Sequence, residues 1–215
     1  MRHPLSHSGV LLSLGLLPAI LLLGTALGCD RGIRSLEYSV LRTLPHDQEA
    51  YTQGLVFHGG FLYESTGQYG TSTIRKVDPK SGEVLLSASL PEDHFGEGLA
   101  RVGSELIQLT WHAGVAYVYG LDSLTLRRTL TYEGEGWGLC FDGESLWMSD
   151  GSTRLLRRDP ESFQVLGELR VTEGGFSVAR LNELECVGDR IYANVFMTNR
   201  IVGIEKTSGR VVVEL

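Results

Sequence analysis

Apolar positions along this chain recur in short alternating runs, with no sustained stretch at the 3.6-residue spacing of a helix. β-Branched and aromatic residues gather in runs of four to seven, parted by Gly, Asp, Pro and Ser, which is the signature of strands joined by tight turns. Four segments superimpose without gaps: QGLVFHGGFLYEST from Gln53, EGLARVGSELIQLT from Glu97, WGLCFDGESLWMSD from Trp137 and NELECVGDRIYANV from Asn182. Each has Leu at its third place (Leu55, Leu99, Leu139, Leu184), Gly at its seventh (Gly59, Gly103, Gly143, Gly188) and an aliphatic at its tenth (Leu62, Leu106, Leu146, Ile191). This is strand, tight turn, strand, with the glycine supplying the positive φ of a short hairpin.

Every hairpin leads to a third strand, a polar turn and a fourth strand, at Val84–Leu90, Leu126–Tyr132, Val165–Val171 and Val211–Leu215. Four strands in about 44 residues is the size of a propeller blade. VLRTLPHDQEAYTQG from Val40 lines up with VLLSASLPEDHFGEG from Val84, so Val40–Leu44 reads as a further fourth strand without a blade of its own. The expected fold is an all-β propeller of the five-bladed type with four repeats present and the C-terminal blade truncated. A closed four-bladed ring is the alternative. An incomplete ring would expose two blade faces, and the chain alone is then expected to be prone to aggregation.

Residues 1–28 differ in kind from the rest: Arg2 is their only Lys or Arg, they hold no acid, and a Leu-rich run ends near small residues. They read as an export signal, with a membrane anchor as the alternative. Residues 29–37 would form an N-terminal tether, and 38–215 the propeller domain. Cys29 is a candidate lipidation site, so a soluble exported protein and a lipid-anchored one at the cell envelope both stay open. The remaining 18 basic and 26 acidic residues give a net charge of −8, without the basic stripe of a nucleic-acid binder. Cys140 and Cys186 could pair in an oxidising compartment. Each sits in an apolar strand pattern, and two buried free thiols are the favoured reading.

In a propeller the innermost strands line the central channel, so Gln53, Glu97, Trp137 and Asn182 are equivalent positions around one axis. Framework places vary little while these four differ in chemistry, which points to a shared site, catalytic or purely binding. Glu97 lies between two glycines and is a candidate functional carboxylate. Trp111 and Trp137 could wall an apolar pocket or serve as blade packing. Glu183 and Glu185 point the same way along one strand. Such a pair could raise a pKa or bind main-chain donors. The spacing of His46, His58, His94 and His112 does not suit zinc.

The strings YTQGLVF, LYESTGQYGTSTIR, FGEG, QLTW, EGWGL, MSDGS, LNELE and ANV, in this order from about His46 to Lys206, resemble the plant and bacterial type of glutaminyl-peptide cyclotransferase. The resemblance implies a five-bladed propeller that converts N-terminal Gln of peptides to pyroglutamate with release of ammonia. It implies Glu97 as the acid/base, with Gln53, Trp111, Trp137 and Asn182 in substrate-binding strings. No metal or other cofactor is implied. The partners are peptides or proteins with an unblocked N-terminal Gln. No nucleic acid is involved, membrane contact comes only through the signal or a lipid, and a monomer is expected. An Asn-Gly-Ile-Ala string and a Gly-Lys-x-Trp string of the family's last blade are absent. The competing reading is a non-catalytic binding or sensor propeller of the cell envelope. A quinone- or calcium-dependent propeller enzyme is a weaker rival, short of channel acids.

Overall fold

The computed structural model describes residues 32–215, and the expected export signal and Cys29 lie outside them. Four sheets of four consecutive antiparallel strands follow one another along the chain. Blade one holds β2 (Thr52–His58), β3 (Phe61–Thr66), β4 (Thr73–Val77) and β5 (Val84–Ser89). β6 (Gly96–Val102), β7 (Glu105–Thr110), β8 (Val115–Gly120) and β9 (Leu126–Thr131) form blade two. Blade three comprises β10 (Leu139–Phe141), β11 (Leu146–Ser149), β12 (Arg154–Arg158) and β13 (Val165–Arg170). A small hairpin, β14 (Thr172–Glu173) with β15 (Phe176–Ser177), precedes blade four, which is β16 (Leu181–Val187), β17 (Arg190–Val195), β18 (Ile201–Glu205) and β19 (Val211–Glu214). The hairpin turns have the expected left-handed glycines at Gly59, Gly103, Gly143 and Gly188.

The core lies between blades. One buried cluster joins blades one and two around Ile74, Leu99 and Leu106. A second joins two and three around Leu109, Leu139 and Leu146, and a third joins three and four around Leu155, Leu181 and Ile191. The apolar third and tenth places of the repeat are thus blade-to-blade contacts. Leu55, the third-place residue of blade one, is 44% exposed. No described sheet packs over that face, so the same residue type meets water there.

The inner strands approach so closely that a Cβ has no room between them. A Cβ on Gly54 would lie 2.5 Å from the Leu99 backbone nitrogen, and one on Gly98 2.6 Å from that of Leu139. At Gly138 it would meet the Asn182 carbonyl at 2.1 Å. The Gly of the QGL, EGL and WGL strings therefore sets the spacing between successive blades.

Two expectations are corrected. Val40–Leu44 forms no ladder and is exposed; instead β1 (Arg34–Ser35), within the expected tether, pairs in parallel with β19. The repeat alignment still holds locally. Pro45 packs on the turn at Gly82 as its repeat counterpart Arg170 packs on Gly209. The second correction concerns the cysteines, which form a disulfide between β10 and β16 with Cα atoms 5.5 Å apart. Their strands come from neighbouring blades, so the apolar pattern that suggested separate buried thiols marks the interface across which they meet.

The disulfide closes a loop across 46 residues, for which the chain-entropy account gives about 4 kcal/mol of stabilisation. Reductant is expected to lower the melting temperature of this chain and to leave a Cys140→Ser/Cys186→Ser double variant unchanged. An equal melt with and without reductant in both proteins would show that the bond contributes nothing.

Candidate functional site

Three of the four inner strands carry a register shift at their first residues: between Thr52 and Gly54, between Gly96 and Leu99, and between Leu181 and Leu184. Such bulges interrupt pairing and re-aim the side chain they contain. They contain Gln53, Glu97 and Asn182. In blade three the same place is Trp137, which lies just ahead of β10 and is held by its N–H on the Ser149 carbonyl. Gln53, Glu97, Trp137 and Asn182 line one cavity of about 260 Å³, together with Trp111, Tyr51, Phe95 and Phe196. All five residues singled out from the sequence meet in it.

Large and small residues alternate to build its walls. The place just after each aligned segment is Gly67, Trp111, Gly151 and Phe196 in blades one to four. The Phe95 ring fills the space over Gly67, and the Trp137 indole fills that over Gly151. Phe95 then meets Trp111 edge-on at 5.7 Å, and Trp137 meets Phe196 edge-on at 5.6 Å. Two aromatic groups result, and one carboxylate ties them. Glu135 accepts the indole N–H of Trp111 and of Trp137, both at 2.8 Å. Partial burial works to raise the Glu135 pKa, yet the two indole donors and nearby His112 outweigh it and hold the carboxyl below its usual range.

Glu97 behaves oppositely. It is 6% exposed, and among the described residues no cation counters its charge. Burial, with the Glu135 charge adding to it, pushes its pKa up to about 9. Glu97 therefore rests as a neutral carboxylic acid at pH 7. Glu183 occupies the repeat place that is Gly in the other three blades. Its carboxyl is buried, with the backbone N–H groups of Leu139, Leu184 and Leu99 as the donors nearest it and Oε2 without a hydrogen-bond partner. Burial raises its pKa, and Glu97 adds to the rise. Glu185, by contrast, is exposed and lines a separate cavity beside the disulfide. The expected like-charge pair with Glu183 does not form, since the interaction that matters is between Glu183 and Glu97. Of these two acids, only Glu183 has main-chain donors beside it.

Tyr51, Phe95 and Glu135 were missed by sequence reasoning, although a signal exists. They stand two residues ahead of the first place in blades one, two and three, where blade four has Arg180. Phe196 shares its repeat place with Trp111. Equivalence under the repeat, extended beyond the aligned segments, finds them all.

The family described as glutamine cyclotransferase matches residues 16–215, and the chain belongs to it. A glutaminyl-peptide cyclotransferase of Arabidopsis thaliana is 37% identical over 188 residues. That alignment covers 86% of this chain and 58% of the plant protein, so the chain spans less than two thirds of its relative's length. The crystal structure of Myxococcus xanthus glutaminyl cyclase is similar at 38% identity and a TM-score of 0.77, covering 82% of this chain and 75% of that one. The WD40 repeats of RRP9 share the fold alone, at 11% identity and a TM-score of 0.54 over 75% of this chain and 50% of theirs.

Two consequences are measurable without substrate. A methyl at Gly67 collides with the Phe95 ring 2.2 Å away, whereas Gly167 has open space around it. Gly67→Ala is expected to cost about 1–3 kcal/mol in urea unfolding and to shift tryptophan emission, with Gly167→Ala neutral. Equal stabilities would mean the ring moves freely.

The second concerns pH. The folded pKa of Glu97 lies above its unfolded value of ~4.3, so its contribution favours folding below that range and is lost as pH rises towards 9. Relative to wild type, Glu97→Gln is expected to gain stability steadily between pH 5 and pH 9. A stability difference independent of pH would contradict the raised pKa.

Proposed function

We propose that this member of the glutamine cyclotransferase family cyclises an unblocked N-terminal glutamine of peptides to pyroglutamate, releasing ammonia, by an aminoacyl-transfer reaction in which Glu97 shuttles the proton. The observation that carries the reading is a buried, neutral carboxyl among aromatic rings, with the amide side chains of Gln53 and Asn182 on the same cavity. Family membership and the likeness to the Arabidopsis and Myxococcus proteins support it.

A terminal α-amine titrates near ~7.7–8. Burial holds Glu97 protonated, so the amine becomes nucleophilic once it has lost its own proton to solvent. The amine nitrogen attacks the side-chain amide carbon of the same residue, forming a ring and a tetrahedral oxyanion. Glu97 gives its proton to the amide nitrogen. It then takes one from the attacking nitrogen, which has become cationic. The carbon–nitrogen bond breaks, ammonia leaves, the carbonyl reforms, and Glu97 is neutral again. Aromatic walls hold the side chain folded back, so the reaction gains from proximity. An amide N–H of Gln53 or Asn182 directed at the oxyanion would contribute about 3 kcal/mol.

The same reading takes the chain to be exported and monomeric, soluble or lipid-anchored at Cys29. The Cys140–Cys186 bond supports an oxidising location.

Mass spectrometry of a Gln-initiated peptide incubated with the chain is expected to register loss of one ammonia, while acetylated and internal Gln stay intact. Glu97→Gln is expected to lose about 10²–10⁴-fold in kcat/KM. For wild type, kcat/KM should rise as the substrate amine loses its proton near ~8 and fall as Glu97 ionises at about 9. A profile that stays level through pH 10 would remove Glu97 as the resident acid.

A further inference from the structure

The cavity of about 260 Å³ holds little beyond one folded-back glutaminyl residue, so the rest of a bound peptide must leave across its rim. That rim is aromatic. Tyr51 and Tyr69, each about half exposed, meet the Phe95 ring edge-on at 6.1 and 5.5 Å. Phe196, 41% exposed, extends from Trp137, and exposed Met197 follows it. Large apolar side chains held partly in water beside a cavity mark a surface that has something to bind.

The backbone presenting them is strained and fixed. Of the five non-glycine residues with left-handed φ among the described residues, three flank the rim: Gln68 next to Tyr69, Met197 next to Phe196, and Arg180, whose carbonyl accepts the Phe196 N–H at 2.9 Å. The Gln68 carbonyl accepts from Ser72 Oγ at 2.7 Å, Gly70 N–H reaches the Glu92 carbonyl at 2.8 Å, and Thr198 Oγ1 donates to Val195 at 2.6 Å. Strain of this kind persists where surrounding bonds over-determine it, and it concentrates at ligand clamps. Rings held in place before binding lose little freedom when a ligand arrives.

We propose that this rim binds the residue following the N-terminal glutamine and selects a large apolar or aromatic side chain there. The inference rests on the cyclisation reading for the identity of the ligand. Phe95 already meets two tyrosines in edge-to-face geometry, so an incoming ring extends an existing aromatic array and covers the faces of Tyr69 and Phe196 that now meet water. Glycine at that position leaves those faces wet.

The test measures binding and turnover separately. Trp111 and Trp137 lie in the walls, so tryptophan fluorescence can follow titration with pyroglutamyl-Phe-amide and pyroglutamyl-Gly-amide. The Phe product is expected to bind about tenfold more tightly. The kcat/KM values of Gln-Phe-amide and Gln-Gly-amide should differ by a similar factor. Tyr69→Ser and Phe196→Ser should each bring the binding ratio below about threefold. Equal affinities, no binding of either product, or an unchanged ratio in both variants would overturn the proposal. Discrimination between the product amides without ammonia release from any Gln peptide would instead defeat the cyclisation reading and leave the rim assignment standing.

Discussion

The close approach of inner strands at Gly54, Gly98 and Gly138 is the constraint on which the remaining structure depends. Each glycine lets the backbone of the next blade come within the space a side chain would need. Because the contact is backbone on backbone, it fixes the position of the residue immediately before it. Those residues are Gln53, Glu97 and Trp137. The requirement that packs the blades therefore also places the chemistry, and the two cannot vary independently. In the fourth copy the glycine is replaced by Glu183, and its carboxyl fills the axial space with a group that needs donors. The N–H groups of Leu99, Leu139 and Leu184 that face it come from three different inner strands, yet they leave its Oε2 unpartnered.

Three carboxyls at or near this cavity owe their protonation to separate physical causes. Glu135 has two indole donors and partial access to water, and it stays charged. Glu97 has neither, and burial leaves it neutral. Glu183 has main-chain donors but is wholly enclosed, and enclosure prevails. Tuning of this kind comes from what each oxygen touches, since residue type and position near the axis are shared.

Much of this was legible beforehand because the repeat is strict. Strand order, hairpin glycines and the convergence of Gln53, Glu97, Trp111, Trp137 and Asn182 follow from equivalence under a period of about 44 residues. What was not legible involves contacts that one repeat cannot encode. The Cys140–Cys186 bond crosses an interface, and an apolar strand pattern describes only the face of one blade. Val40–Leu44 matches the fourth-strand pattern, but a strand forms only where a ladder partner lies alongside, and β19 pairs instead with Arg34–Ser35. The protonation state of Glu97 depends on its enclosure, which no local pattern reveals. Glu135 was overlooked because its role lies in holding two rings from different blades.

That last arrangement bears on how the site can deform. One aromatic group is built over Gly67 from blades one and two, the other over Gly151 from blades three and four. Glu135 lies in the connection between these two halves and holds an indole from each. The gap between the groups is consequently gauged by a pair of charge-assisted hydrogen bonds and not by packing alone. A guest that fits the gap leaves the gauge untouched. One that is too wide would have to stretch or break a bond to a charged acceptor, a steeper penalty than displacing an apolar contact, so breadth would count for more here than in an all-apolar slot of equal size.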